Sequence, residues 1–360
     1  MSATRLGLND FLSQSHNHLL IDVRSPAEYA HAHIPGAYNI PLFDNEERKV
    51  VGTIYKQKSR EEAIKEGLDF FGPKMRQVIE AVETFLTKER VHSIEGQALS
   101  SVDRSPTRIF VYCWRGGMRS AAISWLLDLY GFNVSVLSGG YKTYRNYVLK
   151  SFEQPWVFKV LGGYTGSGKT EVLDKLKKEG KAVVDLEALA IHKGSAFGNI
   201  DLPPQPSQEQ FENLLATELN KQNIQQSIWL EDESQRIGNI NIPGTLWQTI
   251  RQSPLYFIDV PFKERLLHIV EEYGQLDKEQ MAAAILRISK RLGGLETKNA
   301  IQYLEEGNFH DCFSILLSYY DKHYYKSLNN RDNLSLLLKE IKCHTVGAAN
   351  FSYLLNQSLA

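Results

Sequence analysis

At 360 residues the chain is long enough for two domains, each burying its own core. Hydrophobic residues make up 42% and charged residues 23%, ordinary values for a soluble globular protein, and no apolar stretch approaches the ~20 residues that span a bilayer. A formal net charge of −1 excludes a globally basic nucleic-acid coat but leaves room for a local basic patch.

The N-terminal MSATRLGLNDFLSQSHNH has no basic region leading into a continuous apolar core, so no secretory leader is read there. "HLLIDVRS" is an apolar run ending in a polar turn, "SPAEYAHAH" a short helix, and "IPGAYNIPL" an extended stretch punctuated by Pro-Gly. Residues 56–89 carry helical periodicity through Ile64, Leu68, Phe71, Met75, Val78, Ile79, Val82 and Phe85. Polar residues 92–107 read as a loop. Ile109–Tyr112 is a strand, Ser120–Tyr130 a helix closed by Gly131, and Val134–Leu137 another strand. Alternation of this kind predicts a parallel α/β domain over residues 1–150.

"KSFEQPW" (150–156) marks the seam, and a second α/β pattern fills residues 151–360. Strand Val157–Leu161, a glycine loop, helix Thr170–Glu179 and strand Ala182–Asp185 follow in turn. "DLPPQPSQEQ" is a loop, with Ser207 and Gln210 spaced as a capping box for the next helix. Ile228–Leu230 and Leu255–Val260 supply two more strands, and beyond Phe262 the pattern is mostly helical.

Three cysteines, Cys113, Cys312 and Cys343, offer no CxxC pair, zinc spacing or disulfide framework, which places the chain in a reducing cytoplasm. Cys113 opens "CWRGGMRS" directly after a strand. Arg115, Arg119 and the amides at the start of the following helix would lower its thiol pKa, and Gly116 and Gly117 let the backbone of Trp114–Met118 curl into an anion cup. Such a cup can hold a persulfide, a selenide or a tetrahedral oxyanion; a buried structural cysteine is the plainer alternative. The C-x5-R-S spacing is shared with cysteine phosphatases, although Tyr112 rather than His precedes the cysteine.

"GGYTGSGKT" contains G-x-x-x-x-G-K-T between a strand and a helix, the context expected of a P-loop. The backbone of Gly163, Tyr164, Thr165, Gly166, Ser167, Gly168 and Lys169 would cradle a diphosphate, Lys169 would reach its terminal oxygens, and Thr170 is placed to ligate Mg²⁺. Candidate acidic partners are Asp185 and Glu187 in "VVDLEALA" and Glu231 and Asp232 in "SIWLEDES"; acids at strand ends are also commonly just solvated. Arg287, Lys290 and Arg291 share one helix face and are candidate contacts to a nucleic acid, and Lys175, Lys177, Lys178 and Lys181 cluster after the glycine loop; either run is more often an ordinary solvated face. His16, His18, His31 and His33 have no metal-ligand spacing, and no metal site is expected.

"DVRSPAEYAHAHIPGAYNIPL" (22–42) resembles the signature of rhodanese sulfurtransferases, and the Cys113 loop falls where their active loop falls, one residue longer than in small rhodaneses. A longer loop predicts a wider cup, suited to a phosphate-sized donor. With "CWRGGMRS", "GGYTGSGKT", "DLEALAIHKGSAFG" and "ISKRLGG" in this order, nearly the whole chain resembles the bacterial tRNA 2-selenouridine synthase (2-thiouridine selenotransferase) family. That resemblance implies a rhodanese-like α/β domain followed by a P-loop NTPase-like α/β domain with a helical C-terminal region. It also implies a cytoplasmic transferase acting on tRNA with 2-thiouridine at the wobble position.

In the implied chemistry the thiocarbonyl sulfur attacks geranyl diphosphate, giving S-geranyl-2-thiouridine, and selenium from selenophosphate then replaces the geranylthio group. The glycine loop would hold the prenyl diphosphate, Cys113 would handle selenium, and Arg115 and Arg119 would neutralise the donor's phosphate. A selenophosphate-supplying enzyme is an implied partner; a membrane is not. The residues alone leave other readings open: a thiosulfate sulfurtransferase or cysteine phosphatase, neither of which needs the glycine loop, and a nucleotide-regulated tRNA-binding sensor, which does not need Cys113.

Overall fold

The computed structural model describes residues 3–94 and 108–358. It divides the chain into two compact units, Met1–Lys150 and Ser151–Ala360. In the first unit, strands Thr4–Leu6 (β1), Leu19–Asp22 (β2), Tyr38–Asn39 (β3), Arg108–Tyr112 (β4) and Asn133–Leu137 (β5) form one parallel sheet in the order β1-β5-β4-β2-β3. The central strands β2 and β4, LLID and RIFVY, are buried apart from Arg108 and mostly apolar, as strands of a parallel sheet covered on both faces are. Their register pairs Leu19 with Ile109 and Asp22 with Tyr112, so both strands end side by side just before Cys113. Crevices at the carboxyl ends of parallel strands are where α/β folds place their sites.

The helical stretch expected as one run over 56–89 is three helices, Asn45–Gln57, Arg60–Phe71 and Met75–Ile94, with a 3₁₀ turn at Gly72–Lys74. Caps cause the breaks. Asp44 and Glu47 close a capping box on the first helix, Ser59 Oγ accepts from Glu62 N at 3.1 Å on the second, and Pro73 sits inside the turn before the third. Helix starts two residues upstream of Ser120, at Met118, and Gly140–Ser151 is a further helix, not expected above, that buries Tyr141, Tyr144 and Val148 on one face. Of the loop expected over 92–107, residues 95–107 lie outside the described residues.

The second unit carries strands Phe158–Gly162 (β6), Ile228–Glu231 (β7), Arg236–Ile237 (β8), Ile240–Asn241 (β9), Leu255–Asp259 (β10) and Leu338–Lys342 (β11). Four of them make a parallel sheet in the order β11-β10-β6-β7, while β8 and β9 form a short antiparallel hairpin. One expectation is corrected here. Ala182–Asp185 contributes only a single bridge, Val183 to Trp229, because Asp185 already caps the helix Leu186–Ala190. The C-terminal region, mostly helical as expected, is interrupted before its last helix, Asn350–Ser358, by a strand, β11, which pairs with β10 from Leu255 with Leu338 through Asp259 with Lys342. Ser207 Oγ accepts from Gln210 N at 3.0 Å and starts the helix Gln208–Asn220. Among the described residues no helix is long and apolar enough to cross a membrane.

Candidate active sites

Cys113 leaves the end of β4 and is buried, 3% exposed. Its Sγ lies 3.2 Å from Ser120 Oγ, in the first turn of helix Met118–Tyr130, and that hydroxyl also donates to Gly117 O at 3.1 Å. The Ser120 hydroxyl can thus turn its proton from the Gly117 carbonyl to the Cys113 sulfur, at the first turn of a helix. Trp114, Arg115 and Met118 are exposed on the rim.

The loop is shaped by a second glycine pair that the sequence analysis passed over. Gly116 has φ +64°, and a Cβ there would stand 2.6 Å from Leu137 O; a Cβ at Gly140 would stand 2.3 Å from Cys113 O. The backbones touch because the amides of Tyr141 and Lys142, opening helix Gly140–Ser151, donate to Cys113 O (2.8 Å) and Trp114 O (3.0 Å). "SGGY" directly after a predicted strand was the available signal. Beneath the loop, fully buried Arg24 pairs with Asp22, donates to Ala32 O at 2.6 Å, and lies 3.9 Å over the ring of Tyr141.

Arg119 is not directed into the cup. Its Nη1 donates to Glu28 Oε2 at 2.6 Å and its Nη2 to Glu28 Oε1 at 3.2 Å. Burial pushes the Glu28 carboxyl up, but hydrogen bonding and charge from Arg119, the Ser25 amide and Arg48 outweigh it and hold Glu28 below the ordinary glutamate range. The expectation that Arg119 grips the donor is therefore revised: Met118 and Arg119 belong to the helix, Arg119 is paired with Glu28, and Arg115 is an exposed cation of the loop.

Gly163–Thr170 joins β6 to helix Lys169–Lys178 and lines a cleft of about 670 Å³. Lys169 Nζ donates to Gly163 O at 3.2 Å, and buried Ser167 Oγ has no hydrogen-bond partner. Two groups with no sequence signal brace the loop. Arg265 donates to Thr165 O at 3.1 Å while forking onto Asp321, and the Tyr324 hydroxyl accepts from Gly163 N at 3.3 Å while donating to Asp232 Oδ2 at 2.8 Å.

The acidic candidates separate by surroundings. Asp232 is committed to buried Arg331, at 2.6 Å, and to Tyr324. Glu231 Oε1 accepts from Glu187 N at 2.7 Å, and the Glu187 carboxyl lies beside that of Glu233, a residue that continues "LEDE" but was not among the sequence candidates. Burial raises the carboxyls of Asp185, Glu187, Glu231 and Glu233, the last two furthest, with their acidic neighbours adding to it and Lys169 opposing at Glu187 and Glu233. Among the described residues no group of three or more His, Cys, Asp or Glu side chains is arranged to hold a metal ion. A Mg²⁺ here would find the Thr170 position but no carboxylate cage, so it would be carried chiefly by the phosphates.

Arg287, Lys290 and Arg291 are exposed on helix Lys278–Leu292. Arg287 donates to Ala196 O at 2.9 Å and so ties that helix to the loop after Lys193. Burial, and then the charges of Arg291 and Lys326, lower the pKa of His323, which lines the cleft, whereas Arg287, Lys290 and Arg291 do not line it. Lys175 instead pairs with Glu179 at 2.7 Å, an ordinary helix-surface contact.

Two family models match the chain: a rhodanese-like domain over residues 8–147 and the AAA domain of tRNA 2-selenouridine synthase over 156–342. The chain is similar to the tRNA 2-selenouridine synthase of Bdellovibrio bacteriovorus, 35% identical with 89% of this chain and 91% of that one covered. To the tRNA 2-selenouridine synthase of Hydrogenovibrio crunogenus it is 36% identical, with 85% and 88% covered.

Proposed function

The chain belongs to the tRNA 2-selenouridine synthase family, whose members are tRNA-modifying enzymes, and we propose that it replaces sulfur by selenium in wobble 2-thiouridine through S-geranyl-2-thiouridine, in the cytoplasm. The observation that carries this reading is the make-up of the cleft. The glycine loop with Lys169 lines it, and Ile191, Leu202, Ile269, Tyr273 and Tyr320 line the same cleft with apolar surface. A diphosphate bearing a prenyl tail needs both kinds of surface.

In the first step the thiocarbonyl sulfur bonds to the prenyl carbon, whose C–O bond breaks with its electron pair on the diphosphate. Lys169 and the loop amides take up the charge growing on that leaving group. Bound Mg²⁺ would neutralise further phosphate charge. S-alkylation turns a poor leaving group into a good one. In the second step selenium of selenophosphate attacks C2, the C2–S bond breaks with its pair on the geranylthiolate, and water hydrolyses the P–Se bond to release phosphate. The Cys113 loop, with Ser120 and Arg115, is assigned to this anionic donor.

Reconstitution tests the reading. Purified protein, tRNA containing 2-thiouridine and geranyl diphosphate should yield S-geranyl-2-thiouridine by nucleoside mass spectrometry, and added selenophosphate should convert it to 2-selenouridine. Thiosulfate sulfurtransfer or phosphate-ester hydrolysis without any change to tRNA would refute it.

A further inference from the structure

Alkylation of 2-thiouridine, the step proposed above and the one on which this inference rests, makes a second demand. The neutral thione carries a proton on N3. As sulfur forms its bond to the prenyl carbon and diphosphate leaves with the C–O pair, the N3–H pair becomes the C2=N3 π bond, and the proton must go to a base. We propose that the Glu187–Glu233 carboxyl pair, at the wall of the glycine-loop cleft, is that proton acceptor.

Geometry brings the two carboxyls together. A Cβ on Gly194 would stand 2.4 Å from Glu187 Oε1 and 2.9 and 3.1 Å from the two oxygens of Glu233. Both residues line the cleft that contains Lys169 and Thr170. An independent mark of a ligand in the same cleft is Ser167, 1% exposed, whose hydroxyl has no partner. Two carboxyls this close cannot both ionise freely, so the pair holds one proton and keeps one oxygen ready to accept another.

Their surroundings tune that acceptor. Glu187 faces Lys169, Lys193 and Asp185, and its charge reaches Tyr273; Glu233 faces Lys169 and Glu231. Burial and the acidic neighbours raise the affinity of both carboxyls for a proton, and Lys169 lowers it. A bound diphosphate engages Lys169, which weakens the opposing influence and makes the pair a stronger base when the prenyl donor is present. The basic form is thus favoured in the complex that needs it.

Glu233→Gln and Glu187→Gln keep size and hydrogen bonding but remove the acceptor. Single-turnover geranylation of 2-thiouridine tRNA at saturating geranyl diphosphate would be followed from mildly acidic to alkaline pH, with geranyl diphosphate affinity measured by calorimetry. The expected result for Glu233→Gln is roughly a hundredfold loss at neutral pH. Affinity should be unchanged, and the deficit should close at alkaline pH, where N3 ionises unaided. An equal loss at every pH, or no loss in either variant, would overturn the assignment. A parent protein that binds geranyl diphosphate yet transfers no geranyl group at any pH would defeat the functional reading itself, and this assignment with it.

Discussion

The Tyr141 amide donates to the Cys113 carbonyl oxygen at 2.8 Å, so the start of one helix holds the cysteine loop by its backbone. The approach is close enough that a Cβ on Gly140 would collide with Cys113 O, with Gly116 N at 2.5 Å and with Arg115 N at 2.8 Å. Gly140 is also at φ +61°. Gly140→Ala should therefore cost about 1–3 kcal/mol of stability in the first unit and displace the loop. Selenation should fall while geranylation, assigned to the second unit, is retained. Nucleoside mass spectrometry would then find S-geranyl-2-thiouridine accumulating; equal loss of both steps would contradict the separation of roles.

Arg119 and Glu28 form the loop's side-chain brace. Because the Glu28 carboxyl sits below the ordinary glutamate range in the folded protein, its contribution to stability is fully present above that range. It is lost as pH falls through the lowered value. Glu28→Gln should lower the melting temperature at neutral pH, and the gap to the parent should close in acid. Melting curves at both pH extremes check the sign; a gap that widens in acid would show that another group dominates.

Both loops were legible in the sequence because each is a contiguous run of glycines and cations between a strand and a helix. Their supports were not. Tyr324, Arg265 and Arg331 act through contacts between distant segments: the Tyr324 hydroxyl reaches Gly163 and the Arg331 guanidinium reaches Asp232. No local pattern encodes such partners. Strand β11 was hidden for another reason. "LLLKEIK" lacks a clean alternation, and only pairing with β10 decides for strand. Arg119 illustrates the limit at the site itself, since sequence spacing put it near Cys113 while the fold gave it to Glu28.

Lys169 is the charge nearest the departing diphosphate on the proposed path. Lys169→Ala removes one charge-assisted contact, about 1.5–3 kcal/mol, or roughly ten- to a hundredfold in geranyl transfer. Selenation of tRNA supplied already S-geranylated should be unaffected. Loss of both steps by the same factor would mean that the glycine loop serves the whole reaction, for example as a nucleotide-driven switch.

The three cysteines should separate by chemistry as they do by surroundings. Cys312 and Cys343 are buried in the second unit, and burial pushes each thiol up to about 11. Cys113 instead has the Ser120 hydroxyl 3.2 Å from its sulfur. Iodoacetamide at mildly alkaline pH should therefore label Cys113 first in the folded protein, although all three are buried. Cys312→Ala and Cys343→Ala should leave both steps intact and cost about 1 kcal/mol of stability each through lost packing. Cys113→Ala should make S-geranyl-2-thiouridine and no 2-selenouridine. If peptide mapping finds Cys312 labelled as fast as Cys113, the loop does not activate its sulfur; if Cys113→Ala still selenates tRNA, the donor is held without it.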